Sequence, residues 1–185
     1  MARARQFDLD AATATAMALF WRRGYTATSV RELCDAMGVQ PGSFYAAFGS
    51  KHGCFRAALE RYLATQARAM PGAATPGPDA IVAWLRAIVS PSRRPRGCLL
   101  VNTAVEGPNL DPTTRRFVAA RLRAMEQFFA RCLGGRPESA ARAAVVGSGV
   151  IAIHVQARAG ATPATLRALA DRTLAAVGLP GLDDG

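Results

Sequence analysis

Cys98 has surroundings suited to thiol chemistry. It follows Arg93, Arg94 and Arg96 and opens a short helical segment. Positive charge and a helix N-terminus both favour thiolate over thiol, so a cysteine here is suited to attack electrophiles or to be oxidised. The alternative is that Cys98 is a small apolar residue at a helix interface, with the arginines turned to water. The other cysteines, Cys34, Cys54 and Cys132, read as core. The four are widely spaced and include no C-x-x-C pair, so neither a disulfide framework nor a zinc site is expected.

A second group of polar residues lies between Thr28 and Lys51. Val30, Leu33, Cys34 and Met37 fall at i, i+3, i+4 and i+7, which gives one apolar helical face. Ser29 and Glu32 match the S-x-x-E capping pattern at its start. Gly38 suits the left-handed conformation that ends a helix. Pro41 suits the first turn of the next helix, where its missing N–H would be unpaired in any case. Two short helices joined by a turn of about four residues form a helix-turn-helix, whose second helix enters the DNA major groove.

Enzyme signatures are absent from the sequence. There is no Walker A loop and no G-x-G-x-x-G, and Gly147-Ser148-Gly149 lacks the G-x-S-x-G spacing. His52 and His154 have no neighbours at metal-ligand spacing. No catalytic residues, metal or cofactor are therefore expected, and a small helical enzyme stays only as a remote alternative.

The elements that must position these groups read as helical throughout. Half of the 185 residues are hydrophobic, enough for a real core. The formal net charge of +10 favours a polyanionic partner. The excess does not locate a face: residues 1–70 carry nine basic and five acidic groups, and residues 71–185 carry fourteen and eight. Asp8 and Asp10 interrupt any apolar signal region, and the uncharged run Ala143 to Ala157 is too short and polar to span a bilayer. A cytoplasmic protein with no membrane partner is expected.

The spacing predicts an all-α chain of about nine helices. A first helix runs from about Asp8 to Arg23, with Asp8 as N-cap and Gly24 as its end. After the helix-turn-helix pair, a fourth begins at Ser50 and reaches about Met70. A Pro- and Gly-rich loop follows over 71–78, and Ile81, Trp84, Leu85 and Ile88 mark a fifth helix. A short helix at about Gly97 to Glu106 precedes a long one from Asp111-Pro112 to Leu133. Two more cover about 137–159 and 163–177. Residues 1–52 divide off as a three-helix helix-turn-helix domain, with helix four connecting to residues 53–185. Asn102, Glu106, Arg121 and His154 stand out as polar groups in apolar surroundings that need partners.

The stretch Gly24-Tyr25-x-x-Thr28-Ser29-Val30, then Gly38-Val39, Gly42-Ser43-Phe44-Tyr45, Phe48 and Ser50-Lys51 resembles the tetracycline-repressor (TetR) family of bacterial transcriptional regulators. The resemblance covers roughly residues 8–63. It implies a homodimeric repressor of a pseudo-palindromic operator, released by a small-molecule effector, whose C-terminal domain binds that effector and dimerises. Thr28 and Tyr45 would contact phosphates, and so would Lys51, whose charge at a first helical turn needs compensation. Gly42 and Ser43 belong to the helix that enters the groove. Gln40 and Arg31 are candidates for base or backbone contact, Gln40 with helix capping as its alternative. Gly97-Cys98-Leu99-Leu100 also resembles a subgroup that senses electrophiles and oxidants through a cysteine at this point, which gives a thiol switch at Cys98 as the alternative function.

Trp84, Cys98, Asn102, Phe117, Arg121, Met125, Phe128 and His154 are the candidate effector contacts. Ala143 and Gly147 are small enough to let another helix approach, and with Ile151, Leu166 and Leu169 they are the candidate dimer surface, internal packing being the alternative for the small residues.

Overall fold

The computed structural model describes residues 8–69, 75–90 and 97–182. Arg93, Arg94 and Arg96, invoked above as neighbours of Cys98, lie outside them. Nine α-helices form among the described residues, and no strand does.

The first helix, α1 (Leu9–Arg23), begins where the Asp8 carboxylate accepts from the N–H groups of Asp10 and Ala11, both at 3.0 Å. Gly24 ends it at φ 90°. α2 (Val30–Met37) opens with the full capping box: Glu32 N–H donates to Ser29 Oγ at 3.2 Å, and Ser29 N–H donates to Glu32 Oε2 at 2.8 Å. Such a cap contributes about 0.5–2 kcal/mol. Gly38 closes the helix in the left-handed region, and α3 (Pro41–Phe48) starts three residues later on its proline.

α4 (Lys51–Ala69) leads to α5 (Pro78–Ile88) and the short α6 (Leu99–Ala104). A single 3₁₀ turn, Gly107–Asn109, joins α6 to α7 (Pro112–Cys132), which Asp111 caps. α8 (Pro137–Arg158) and α9 (Pro163–Ala176) complete the chain.

Two apolar cores result. In the first, Phe20, Leu33, Phe44, Phe55 and Leu59 of α1–α4 are fully buried together with Leu99 of α6, and Leu100 and Val118 join them from α6 and α7. Phe55 stands edge-on to both Phe20 and Tyr25, with ring centroids 5.3 and 5.0 Å away. The first core therefore extends beyond the helix-turn-helix to residues of α6 and α7, and α4 belongs to it. The second core gathers Ile81 and Leu85 of α5, Phe129 of α7, Val146 and Ile153 of α8 and Leu174 of α9.

By length and hydropathy, α8 is able to cross a membrane, the one such helix among the described residues. Its apolar residues have another use here: Ala143, Val146, Val150 and Ile153 are buried against neighbouring helices. α8 also meets α9 closely at Gly149, where an added Cβ would fall 2.3 Å from Thr173 Oγ1.

Candidate functional site

The helix-turn-helix turns one face inward and the other to solvent. Leu33, Cys34 and Phe44 are buried, whereas Arg31, Gln40, Gly42, Ser43, Tyr45 and Ala46 are exposed. Tyr45 is 50% exposed and rests edge-on against Phe44, with centroids 5.5 Å apart, so its hydroxyl end is free to reach outward. Gln40 stands at the N-cap of α3, but its side chain makes no capping bond. Its amide is thus available to another partner, and the capping alternative is set aside. No atom lies within 4 Å of where a Cβ on Gly42 would sit, so the first turn of α3 is open to close approach.

Thr28 and Lys51, both expected at phosphates, have partners within the chain. Thr28 is fully buried; its hydroxyl donates to Gly24 O at 2.6 Å and its N–H to Tyr25 O at 3.3 Å. Both groups meant for a phosphate are spent inside the loop, and Ser29 holds the N-cap instead. Lys51 is half-buried, with Nζ 4.4 Å from the Tyr25 ring centroid and 3.4 Å from Thr26 O. Burial lowers its pKa, opposed by the charges of Glu106, Asp111 and Glu32. The charge that compensates Lys51 in the free chain is therefore intramolecular.

Behind this unit runs a polar seam. Trp21 Nε1 donates to Gly97 O at 3.2 Å, and the N–H groups of Tyr25 and Thr26 donate to the Glu106 carboxylate at 2.8 and 2.6 Å. Tyr25 Oη donates to Asp111 Oδ2 at 2.6 Å, and Thr114 Oγ1 donates to the same oxygen at 2.7 Å. The hydroxyl proton of Thr114 being used there, His52 Nδ1 donates to Thr114 Oγ1 at 2.8 Å. Burial pushes the Tyr25 hydroxyl up to about 12, and the Asp111 hydrogen bond adds to it. Burial also pushes Asp111 up, but the hydrogen bonds from Tyr25 and Thr114 outweigh it and hold the carboxyl at about 2.

A cavity of about 310 Å³ opens between α4, α5, α6, α7 and α8. Its walls are apolar and aromatic: Tyr62 and Leu63 from α4, Trp84 and Ile88 from α5, Leu100 and Val101 from α6, Met125 and Phe128 from α7, and Val150 from α8. Gln66, Cys98, Arg121 and His154 supply its polar groups, and no carboxylate lines it among the described residues. Arg121 pairs with Glu60 at 3.2 Å and lies over the Phe117 ring at 5.0 Å. Volume and lining match a small-molecule pocket at the lower end of the usual range.

The signature of bacterial regulatory proteins of the tetR family matches residues 12–58. Over 61 residues the chain is 49% identical to the HTH-type transcriptional repressor ComR of Escherichia coli K12, a match covering 33% of this chain and 29% of ComR. The chain thus aligns with less than a third of that relative's length. Whole-chain similarity comes from a solved structure of the TetR-family regulator CifR, a cysteine mutant in complex with a 26-base-pair operator DNA. CifR is 31% identical, with a TM-score of 0.82, over 94% of this chain and 99% of CifR. The chain belongs to the TetR family. The reduced form of E. coli NemR, at 23% identity and a TM-score of 0.78 over 93% of this chain and 98% of NemR, shares the fold.

Within this TetR-family frame, six of the expected effector contacts meet at the cavity: Trp84, Cys98, Arg121, Met125, Phe128 and His154. Asn102 and Phe117 do not. Asn102 is buried beside Gly97, where a Cβ would fall 2.8 Å from its Oδ1, and Phe117 packs edge-on to His52 in the first core. The α4 wall escaped sequence reasoning. Tyr62 and Leu63 have the right period for burial, but nothing local tells core packing from cavity lining.

The residues expected at the dimer surface differ in exposure. Ala143 and Gly147 are buried within the chain, and a Cβ on Gly147 would lie 3.1 Å from Glu126 Cγ of α7. Leu166 and Leu169 pack half-buried against the second core, and Ile151 is half-buried. The exposed face of α8 instead carries Val145, Ser148, Ala152 and Val155. The cysteines divide clearly: Cys34, Cys54 and Cys132 are buried, and Cys98 is partly exposed. Burial raises the pKa of all three buried thiols, that of Cys54 to about 12.

Proposed function

We propose that this TetR-family chain is a homodimeric transcriptional repressor that binds a pseudo-palindromic operator and is released from it by a small-molecule effector. The observation that carries the reading is the outward face of α3, joined to whole-chain similarity to CifR, which is solved on its operator. Residues 1–52 are the DNA-binding domain, α4 connects, and residues 53–185 bind the effector and dimerise. Acting on chromosomal DNA, the protein works in the cytoplasm.

Tyr45 donates to a phosphate and so sets register, while the backbone N–H groups of Gly42 and Ser43 form an anion site at the start of α3. Gln40 reads an adenine edge, and Arg31 contacts the backbone or a base. α3 itself has no charged side chain, so shape readout carries much of the specificity. Two such units reach successive major grooves when α8 and α9 pair with those of a second copy through Val145, Ser148, Ala152 and Val155.

The cavity supports an effector that is apolar and small; the charge of Arg121 in its wall is already paired with Glu60. Effector binding then shifts the population toward a dimer whose reading heads no longer fit the groove spacing. A second reading is favoured by one observation: Cys98, alone among the four cysteines in being partly exposed, lines this same cavity. Alkylation or oxidation of Cys98 would occupy the cavity covalently and have the same outcome.

The experiment is a gel-shift titration on the intergenic DNA beside the protein's own gene, with and without mild oxidant. Tight, salt-sensitive binding is expected. Loss of binding in oxidant for the unaltered protein, but not for Cys98→Ser, selects the thiol switch. Oxidant-indifferent binding selects the non-covalent effector, and no binding at low salt overturns the repressor reading.

A further inference from the structure

We propose that Glu106 is a positioning residue, a strut through which α6 holds the helix-turn-helix unit in its DNA-reading orientation. This rests on the operator-binding reading above and goes beyond it by naming the contact that carries the signal.

The Glu106 carboxylate receives two consecutive backbone N–H groups, those of Tyr25 and Thr26, at 2.8 and 2.6 Å. Such charge-assisted bonds to main chain fix the position of a loop rather than of a side chain. The loop is shaped to receive them. Gly24, at φ +90°, would place an added Cβ 2.8 Å from Glu106 Oε1, so the carboxylate reaches the backbone only because no side chain stands there. Lys51 grips the same loop from the other side, through Thr26 O and the Tyr25 ring. The N–H groups of the α1–α2 loop are therefore held by the end of α6, and a carbonyl is held by the start of α4.

The other end of the strut is the cavity. Cys98, Leu100 and Val101 line it, and they sit on or just before the same short helix that ends two residues ahead of Glu106. Six residues of α-helix span about 9 Å, too short to bend, so pressure on Leu100 or Val101 is passed to Glu106 as a rigid shift. The loop it holds leads directly into α2, whose first residue follows Ser29. A rival route exists through α4, which lines the cavity with Tyr62 and Leu63 and begins at Lys51. Removing the Glu106 carboxylate leaves that route intact, so the two are separable.

The test uses full-length Glu106→Ala and Glu106→Gln, with fluorescence anisotropy on a duplex selected from a random library and on a scrambled duplex of equal length. Hydrogen exchange at the Tyr25 and Thr26 amides is followed in parallel. In Glu106→Ala the ratio of selected to scrambled affinity falls about tenfold, as expected of one coupling residue. Scrambled-duplex affinity stays unchanged, because the α3 face is untouched, and the two amides lose protection. Glu106→Gln keeps one carbonyl acceptor and falls between, and it decides the matter if the alanine variant loses helical circular dichroism. An affinity ratio equal to that of the unaltered protein in a folded variant overturns the proposal. If the unaltered protein itself fails to distinguish the duplexes, the operator reading falls, and this proposal with it.

Discussion

Tyr25 Oη lies 2.6 Å from Asp111 Oδ2, so the residue after the first helix's C-cap is bonded to the residue that caps the seventh. Asp111 does two things at once: it receives the N–H and hydroxyl of Thr114, and it anchors a loop far away in sequence. The bond makes the contact between the α1–α2 loop and the start of α7 depend on a titratable pair.

That dependence has a sign. Asp111 is held at about 2, below the ordinary 3.8, so its contribution to stability is full above about pH 4 and is lost as pH falls through about 2. Tyr25 is raised from 10.0 to about 12, so its contribution is full below pH 10 and is lost as pH rises through about 12. Urea unfolding of the unaltered protein and Asp111→Asn should differ at neutral pH by about 1.5–3 kcal/mol, the range for hydrogen bonds to a charged group. The gap should narrow steadily between pH 4 and pH 2. A gap constant across that range would show that the carboxylate charge plays no part.

The α8–α9 contact sets a steric limit. Gly149→Ala would put a methyl group 2.3 Å from Thr173 Oγ1. Overpacking of this kind costs about 1–3 kcal/mol. Each kcal/mol lowers the melting temperature of a chain this size by about 2–4 °C. Pairing the change with Thr173→Ser, which removes the γ-methyl, should recover part of the loss in differential scanning calorimetry. An unchanged melting temperature for Gly149→Ala alone would contradict the contact.

Thiol reactivity should be unequal. A maleimide added to the native protein should label Cys98 first, as Cys34, Cys54 and Cys132 are buried with raised pKa values. Peptide mass spectrometry at short times should find a single adduct, and four after unfolding in urea. Early labelling at Cys34 or Cys54 would mean that the first core opens readily.

Tyr45 should act without regard to sequence. Tyr45→Phe removes a hydroxyl from a half-exposed ring and leaves its packing on Phe44 in place. Affinity should fall for selected and scrambled duplexes alike, as expected for a phosphate contact. Loss confined to the selected duplex would make Tyr45 a base reader instead.

Much of the fold was legible because its signals are local. Ser29 and Glu32, Gly38 and Pro41 each specify a helix end within a few residues, and all four stand where their chemistry predicts. The cavity was half legible. Trp84, Arg121 and Phe128 announced themselves as large or polar groups, but the α4 wall depends on which helix faces which. Thr28 was ambiguous for a related reason: its hydroxyl can serve a phosphate or the carbonyl four residues back, and in the free chain it serves the carbonyl. Ala143 and Gly147 correctly signalled close helix approach, yet small residues do not say whether the neighbour is α7 or a second copy. Glu106 needed the fold outright, since its partners lie some eighty residues earlier.

The most direct test of the central claim is the salt dependence of binding to a library-selected palindromic duplex, with the protein's mass in the complex measured by analytical ultracentrifugation. The account predicts two chains per duplex and an affinity that falls steeply and linearly in log–log form as salt rises, with Tyr45→Phe, which removes no charge, weakening binding at an unchanged slope. Binding that selects no sequence and whose affinity does not change with salt would contradict it.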